Sequence, residues 1–470
     1  MKNSELHNHA LGLIQKVKEG PKWNRLEEKN LFNKLKASDC MLMNAYEDSI
    51  GAPITELDTE GGSLDLGAYL YTLNHPPLAL ALVVKLLVKA LESAEGMKLP
   101  ESQFTPEAWK AMLKEAETKG IVGPGGEIWG DNKYEQLDPG WIYALLMFAI
   151  YELGILERHA FGDTPNVIDI NRNKPLKIVV VGDWGTGKFG DDGGPAVAVM
   201  KGIENLQPDI IIHLGDVYYA GTRFEERKKF RKMWPADMQQ NRSFTLNSNH
   251  EMYDGANGYF KTALKAGGPF SAQQQTSYFA IRHGDWLFLG LDSAFFSKPD
   301  KLYMDGCIGG AEGDQANWIK EHFSDHDPKK IIVLTHHTPT GLTGKELTDG
   351  DSPDSLWNEV RAALGNQSPG YWYFGHTHNA VVYSSTSVIG KAGCHGRLVG
   401  HGAIPFGEAS ELPSVLKSGL IEYFANTRME SHQPRVRNGF ASIEIDSDGK
   451  MEEYFYEVAD GTDTAVKVWP

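Results

Sequence analysis

The fold is decided by two apolar runs that each end in a glycine and an aspartate: KIVVVGDWG at residues 177–185 and DIIIHLGDVYY at residues 209–219. Runs this apolar predict strands that are buried on both faces. Similar runs follow at Ser243–Leu246, Trp286–Leu291, Lys330–Leu334 and Tyr371–Phe374. Helical patterns separate them, at Pro195–Leu206, Phe224–Met233, Gly258–Ala266, Asp314–Phe323 and Ser355–Leu364. This alternation predicts an α/β fold, in which ligands bind beyond the carboxyl ends of the strands.

Polar side chains stand directly after five of these runs. They are Asp183, then Asp216 with Tyr219, then Asn249 with His250, then His336 with His337, and finally His376 with His378. Each has an ordinary explanation when taken alone, since an aspartate often caps a helix and a histidine is usually a hydrogen-bonded structural residue. Their recurrence at the same edge of one sheet favours a site for two metal ions, because carboxylate, amide and imidazole groups are metal ligands.

The ordered motifs resemble those of the calcineurin-like metallophosphoesterases, and within them the purple acid phosphatases. The motifs are GDxG at 182–185, GDxxY at 215–219, Asn-His-Glu at 249–251, VxxH at 333–336 and GHxH at 375–378. The resemblance covers about residues 177–384, with closing strands within Phe440–Val458. It implies a β-sandwich flanked by helices. Gly185 stands where most metallophosphoesterases have a histidine, and Tyr219 adds a phenol, which is the purple acid phosphatase variation.

The resemblance also implies a ligand set and a reaction. One metal would be held by Asp183, Asp216, Tyr219 and His378, and Asp216 would bridge to a second metal held by Asn249, His336 and His376. The donors suit Fe(III) together with a divalent Fe, Zn or Mn ion. The expected activity is hydrolysis of small phosphomonoesters, with a metal-activated hydroxide attacking phosphorus. His250 is the candidate that protonates the leaving oxygen, and Asp216 is catalytic as the bridge.

The sequence departs from the family pattern at two places that bear on the site. Ser248 replaces the usual glycine of the Asn-His turn, which would displace Asn249 if that position needs a positive φ. The stretch Leu342–Glu346 lacks the histidines that often contact substrate in purple acid phosphatases. The candidates for that role are His337, His395, Arg397 and His401. A purely structural loop over Gly393–Gly407 is the alternative, and a thiolate nucleophile at Cys394 lacks a recognisable third partner.

Three other functions are weighed against the phosphomonoesterase. A phosphodiesterase acting on cyclic nucleotides or other diesters would use the same metal centre. A protein serine/threonine phosphatase is disfavoured, because Gly185 replaces its histidine and Tyr219–Gly221 replaces its Asp-Arg-Gly. From another class, a metal-containing scaffold or regulatory protein is disfavoured because every ligand position is filled.

The amino-acid composition indicates which classes of ligand the protein can bind. The 470 residues include 62 acidic and 46 basic side chains, which gives a net charge of −16 and more chain than one domain usually needs. A surplus of carboxylates repels nucleic-acid polymers over most of the surface, so the expected ligand is a small phosphoester held at a locally positive spot.

The first third of the chain has helical patterns without a cluster of ligand residues. We therefore expect a helical N-terminal domain at 1–170 and a catalytic domain at 171–470. The sequence does not indicate the role of the N-terminal domain, and it favours neither a lid over the site nor the surface of a homo-oligomer. The chain shows neither a signal peptide nor an apolar stretch long enough to span a bilayer, and its cysteines, Cys40, Cys307 and Cys394, form no Cys-x-x-Cys pair. These features predict a cytoplasmic protein with reduced thiols and no membrane partner.

Overall fold

The computed structural model describes residues 157–470 apart from 172, 189–192, 236–241, 351, 405–409, 426, 430–433 and 459–463, together with 134, 144, 147–148 and 151–152. The predicted helical domain at 1–170 therefore lies almost wholly outside the described residues, as does Cys40. The chain divides into two compact units. The larger comprises His159–Gly221, Glu225–Met252 and Ala256–Pro470. In the smaller, the rings of Phe148 and Tyr253 meet edge to face at 6.0 Å.

The described strands are, in chain order, β1 (Val167–Ile170), β2 (Leu176–Val181), β3 (Ile210–His213), β4 (Ser243–Thr245), β5 (Phe279–His283), β6 (Trp286–Gly290), β7 (Ile331–Thr335), β8 (Tyr371–Phe374), β9 (Ala380–Tyr383), β10 (His395–Val399), β11 (Ile421–Phe424), β12 (Thr427–Met429), β13 (Pro434–Val436), β14 (Gly439–Ile445), β15 (Met451–Val458) and β16 (Ala465–Trp469).

The described α-helices are α1 (Pro195–Asn205), α2 (Arg223–Glu225), α3 (Asn249–Tyr253), α4 (Asp314–Phe323), α5 (Leu356–Ala363), α6 (Val388–Lys391) and α7 (Leu412–Lys417). Short 3-10 turns lie at Arg231–Met233, Ser271–Gln273, Pro299–Lys301 and Pro328–Lys330. Glu226–Phe230 and Tyr259–Ala263 are π-helical, although the sequence predicted ordinary helices there.

The strands form two main sheets. The larger has eight strands in the order β1-β5-β6-β7-β8-β10-β9-β11, and the smaller has six in the order β16-β15-β14-β2-β3-β4. Strands β2, β3 and β4 run parallel to one another, as do β6, β7, β8 and β10. Parallel neighbours bring their carboxyl ends to the same edge of a sheet, so the residues that follow them are neighbours in space.

The two faces of β7 show how the layers are held together. Ile332 and Leu334 belong to an apolar cluster that also contains Ile178 of the smaller sheet, so the two sheets pack face to face. Ile331 and Val333 belong to a second cluster that contains side chains of α4 and α5. Alternate residues of one strand thus serve two interfaces, and each fully buried side chain contributes about 1.5–3 kcal/mol of transfer free energy.

On the outer face of the smaller sheet, α1 packs closely, because a Cβ at Gly202 would lie 3.3 Å from the ring of Phe440. The architecture is a mixed α/β sandwich of helix, sheet, sheet and helix layers, which confirms the predicted fold class. Among the described residues, no helix combines the length and apolar character that a bilayer span requires.

Candidate metal centre

The predicted ligands lie at the carboxyl ends of strands from both sheets. The turns after β2, β3 and β4 carry Asp183, Asp216 and Asn249, and the turns after β7 and β8 carry the histidines. The prediction that all of these ligands lie at the edge of one sheet is wrong, because their strands belong to two sheets. Because the sheets pack face to face, their parallel strands deliver ligands from two sides to one place.

The first group of side chains lies around the carboxylates of Asp183 and Asp216. The Nε2 atom of His378 is 3.5 Å from Asp183 Oδ1 and 3.8 Å from Asp216 Oδ2. The Tyr218 hydroxyl donates a hydrogen bond of 2.7 Å to Asp216 Oδ2 and lies 3.0 Å from His378 Nε2. Two carboxylates, an imidazole and a phenol therefore meet at one point.

The second group lies on the other side of Asp216 and centres on His336. The Nε2 atom of His336 is 2.9 Å from Asn249 Oδ1, 3.1 Å from His376 Nδ1 and 3.3 Å from Asp216 Oδ1. Its Nδ1 atom is 3.0 Å from the carbonyl oxygen of Leu214, to which it can only donate. This contact fixes the proton on Nδ1 and leaves the Nε2 lone pair directed at the cluster, as metal-binding histidines require.

The electrostatics of the cluster fit bound cations. Burial, with the neighbouring Asp216 carboxylate, raises the pKa of Asp183 well above its ordinary value. Burial lowers the pKa of His336 to about 3 and that of His376 well below its ordinary value. The imidazoles are therefore neutral and have lone pairs to offer, while two buried carboxylates face each other. Cations would relieve that repulsion, and oxygen and nitrogen donors of this kind suit first-row metals.

Four of the ligand positions have strained backbones. The φ angles of Asp183, Asp216, His376 and His378 are 58°, 78°, 74° and 45°. A residue other than glycine in this region costs about 1–3 kcal/mol, and such strain concentrates at functional sites. The turn at Gly375 also requires a glycine, since a Cβ there would lie 2.6 Å from Asp183 Oδ2. The strained turns thus lower the stability of the fold, and they hold these side chains in a defined orientation.

The phenol that reaches the carboxylates belongs to Tyr218, whereas the resemblance implied Tyr219. The Tyr219 ring lies beside the Lys229 ammonium, which is 4.8 Å from the ring centroid, and its N–H donates to Glu225. Lys229 Nζ also donates to the Tyr218 carbonyl at 2.7 Å and to Glu225 Oε1 at 3.1 Å. This buried ion pair holds the segment that carries both tyrosines. That Tyr219 is a ligand stays a prediction. In the sequence, the one feature that pointed to Tyr218 as an alternative was its position next to Tyr219.

The predicted proton donor, His250, lies at the edge of the first group. Its Nδ1 atom is 2.5 Å from the carbonyl oxygen of Tyr219, and its Nε2 atom is 4.0 Å from Asp216 Oδ2. The carbonyl accepts the Nδ1 proton, so Nε2 is the atom that faces the cluster and can gain or lose a proton. Burial lowers the pKa of His250.

Ser248 fits the turn without the backbone strain of a positive φ. It is not among the described residues with a positive φ, and its hydroxyl donates to Asp216 Oδ1 and contacts Glu251 Oε2. Burial, with the charge of Asp216, raises the pKa of Glu251 to about 8. Sequence reasoning missed Glu251, although it completes the Asn-His-Glu motif.

Gly185 has a steric role. It pairs with Val217 in an isolated bridge, and a Cβ at Gly185 would lie 2.6 Å from the carbonyl oxygen of Asp216 and 2.6 Å from Val217 Cα. The two aspartate turns therefore touch backbone to backbone. The close contact excludes any side chain at the position where most metallophosphoesterases carry a histidine.

Of the four candidates for substrate contact, His337 is the one that the structure brings to the cluster. Its ring centroid is 4.8 Å from that of His376. Its Nε2 atom is 2.7 Å from the carbonyl oxygen of Tyr303, and its Nδ1 atom is 2.9 Å from Ser293 Oγ. Both nitrogens are thus engaged in protein contacts. A ring nitrogen of His337 also lies within 4.8 Å of nitrogens of His336 and His376, and these three histidines form one of the groups that could hold a metal ion.

The structure does not bring the other three candidates to the cluster. Arg397 forms a buried ion pair with Glu453 of β15, with 2.9 Å between Nε and Oε2. His395 stacks on Tyr371 at the amino end of β8, a strand length away from the ligand turn. The His401 ring faces Gly439, where a Cβ would lie 2.8 Å from Nε2. The length of β10 separates His395 from the site, whereas His401 follows the carboxyl end of that strand and its ring is turned toward β14.

The thiol chemistry considered for Cys394 is also disfavoured. Cys394 is buried, and burial raises its pKa to about 12, so it remains protonated at neutral pH. Among the described cysteines, Cys307 and Cys394 are both free thiols.

Comparisons with known proteins bear on the class of domain. Residues 176–380, which include every predicted metal ligand, match the family model of the calcineurin-like phosphoesterases. A comparison with curated proteins gives no match.

Three solved structures are similar to the chain. GAP50, described as the anchor in the inner membrane complex of Plasmodium, is 14% identical with a TM-score of 0.41, covering 63% of this chain and 89% of that chain. PhoD is 11% identical with a TM-score of 0.38, covering 66% and 73%. A hypothetical protein from Thermus thermophilus is 14% identical with a TM-score of 0.30, covering 60% and 100%.

The family match and the convergence of carboxylates and imidazoles at the strand ends lead to the same conclusion. Both findings are typical of a calcineurin-like phosphoesterase domain over residues 176–380, a domain class of metal-dependent phosphoester hydrolases.

Proposed function

We propose that this site is a binuclear metal centre that hydrolyses small phosphomonoesters, as in purple acid phosphatases. The observation that carries the proposal is the placement of Asp216. Its Oδ2 atom faces Tyr218 and His378, and its Oδ1 atom faces His336. A carboxylate with one oxygen toward each of two donor groups has the arrangement of a bridging ligand.

The donor groups differ in kind, which supports two unlike metals. Asp183, Asp216 and a tyrosine offer hard anionic oxygens suited to Fe(III), and Asn249, His336 and His376 suit a divalent Fe, Zn or Mn ion. Bound cations supply Lewis acidity, which withdraws electron density from phosphoryl oxygens and from the attacking water. A trivalent and a divalent cation exceed the charge of two aspartates, and this surplus favours the dianion of a monoester over a singly charged diester.

The protein's own part in the reaction lies with His250. Its Nδ1 atom is anchored on a backbone carbonyl, so its Nε2 atom is held toward the cluster. A protonated Nε2 donates a proton to the leaving oxygen, and that departure limits hydrolysis of esters with poor leaving groups. His376 and His378 are partly exposed, so a small ester can reach the site from solvent. A cytoplasmic location and a homo-oligomer formed through residues 1–170 remain parts of this proposal.

The deciding experiment combines metal analysis with a pair of substrates. Hydrolysis of phenyl phosphate and of its diphenyl ester is measured with the metal-loaded protein between pH 5 and 8. We expect two metal ions per chain and a kcat/KM for the monoester at least about tenfold above that for the diester. The reverse ratio would favour the phosphodiesterase. A metal-loaded protein that hydrolyses neither would favour the scaffold function.

Visible absorption tests the iron assignment and identifies the phenol. A phenolate bound to Fe(III) gives a charge-transfer band, which is compared in the wild type, Tyr218→Phe and Tyr219→Phe. Loss of the band in Tyr218→Phe alone is expected from the geometry, and loss in Tyr219→Phe alone is expected from the resemblance. A colourless, fully active wild type would refute the assignment to the purple acid phosphatase branch.

A further inference from the structure

We propose that Met304 is a specificity-determining residue that contacts the leaving group and selects phosphoesters with an apolar one. The inference rests on the proposed function and adds the class of substrate. Met304 is 46% exposed, and its sulfur lies 3.6 Å from Nδ2 of Asn249. The other side of the same amide, Oδ1, lies 2.9 Å from His336 Nε2. An exposed thioether therefore borders the ligand cluster directly.

The loop that carries Met304 is anchored on both sides. Tyr303 is fully buried, and its carbonyl oxygen lies 2.7 Å from Nε2 of His337, the neighbour of a predicted ligand. Its N–H donates to the carbonyl of Lys298 at 3.0 Å, and further along Cys307 N–H donates to the carbonyl of Ser293 at 2.9 Å. These hydrogen bonds hold the Met304 backbone in place, so the conformation of the loop fixes the exposure of the Met304 side chain.

The backbone conformation before Met304 leads to the same conclusion. Leu302 and Tyr303 have φ angles of 56° and 57°, a region that residues other than glycine rarely adopt. Two consecutive left-handed residues turn the chain sharply. The turn buries the Tyr303 ring and presents Met304 outward beside Asn249. Strain of this kind persists where the surrounding structure fixes a functional side chain.

The chemistry of the thioether indicates what it contacts. The polar groups of the cluster would bind the phosphoryl oxygens and the metals, which leaves the ester group on the outer side. There Met304 offers a flexible, polarisable and apolar surface that suits aliphatic or aromatic groups. An apolar leaving group that covers this surface gains transfer free energy, and a polyol does not.

The test measures hydrolysis of hexyl phosphate and ethyl phosphate by the metal-loaded full chain. The two leaving alcohols have similar pKa values and differ in the length of their apolar chains. We expect the wild type to favour hexyl phosphate in kcat/KM, and Met304→Gln to lower that preference about fivefold. Met304→Leu, which restores an apolar surface, should retain it. The matched control is Leu416→Gln, an exposed apolar residue of α7 that is 40% exposed and should leave the preference unchanged.

An unchanged preference in Met304→Gln, with both esters hydrolysed, would overturn the role of Met304 while leaving the proposed function intact. Hydrolysis of neither ester by the wild type would refute the proposed function. Calorimetry with hexylphosphonate and ethylphosphonate then reads the same preference without turnover. Equal affinities in wild type and Met304→Gln would overturn the inference, and a loss of the hexyl preference in Met304→Gln would support it.

Discussion

Two of the groups of buried charged side chains in the larger compact unit are built differently. The first is the ligand cluster around Asp216. The second joins Arg397 of β10 to Glu453 of β15, with the Tyr373 hydroxyl donating to the same carboxylate. In the second group, cation and anion neutralise each other and the chain around Arg397 is a regular strand.

The first group lacks that balance. Its carboxylates face each other, its imidazoles are neutral because burial lowers their pKa values, and its backbone turns are left-handed. Burial of charge alone therefore does not identify a functional site, since a satisfied ion pair can be purely structural. Unbalanced charge on strained backbone is the feature that distinguishes the candidate metal centre.

The largest effect that would test this contrast is loss of a ligand. We expect His336→Ala to lower kcat/KM for phenyl phosphate by about 10³-fold or more and to lower the metal content, since His336 is the central nitrogen donor for the proposed second metal. The matched control is His395→Ala, which removes a histidine stacked on Tyr371. Activity of His336→Ala within tenfold of the wild type would contradict the ligand assignment.

The second prediction concerns the balanced group. Arg397→Met leaves Glu453 buried without its partner and should lower the free energy of unfolding by about 3 kcal/mol. The double variant Arg397→Met/Glu453→Leu should regain most of that loss, and hydrolysis per folded molecule should be unchanged. Denaturant unfolding and kcat/KM measure the two effects. A loss of hydrolysis without a loss of stability would restore Arg397 as a substrate contact.

The third and smallest predicted effect is a dependence of the free energy of unfolding on pH. Burial lowers the pKa of His401 from 6.5 to about 4. Between these values the unfolded chain binds more protons than the folded one, so stability falls as the pH falls. The loss is about 2 kcal/mol between pH 7 and pH 5 for this group alone. His401→Leu should remove that part of the dependence in unfolding measurements at the two pH values. An identical dependence in the variant would show that His401 does not titrate in this way.

The local parts of the fold and site could be predicted from the sequence. The β7 and β8 runs and their histidines were found because a buried strand and the turn after it are neighbours along the chain. Phe279–His283 was missed because Arg282 interrupts its apolar run. The division into two sheets was missed because apolar runs do not say which strands pair. The Arg397–Glu453 pair joins residues 56 positions apart on different sheets, so local patterns carry no sign of it.

The choice between Tyr218 and Tyr219 depends on the backbone between adjacent residues, which spacing does not determine. The position of Met304 beside the site could not be predicted from the sequence for another reason. Nothing in its neighbourhood along the chain marks a site, and only the left-handed turn at Leu302 and Tyr303 places it beside Asn249.

The bridge between Gly185 and Val217 limits how this domain can change. A point mutation that adds a side chain at Gly185 would meet the backbone of Asp216 and Val217 at 2.6 Å, so the two turns must part before a histidine fits. Parting them moves Asp183 and Asp216, and with them the centre itself. A single substitution at Gly185 would therefore disturb both aspartate turns rather than simply add a histidine to the predicted ligands.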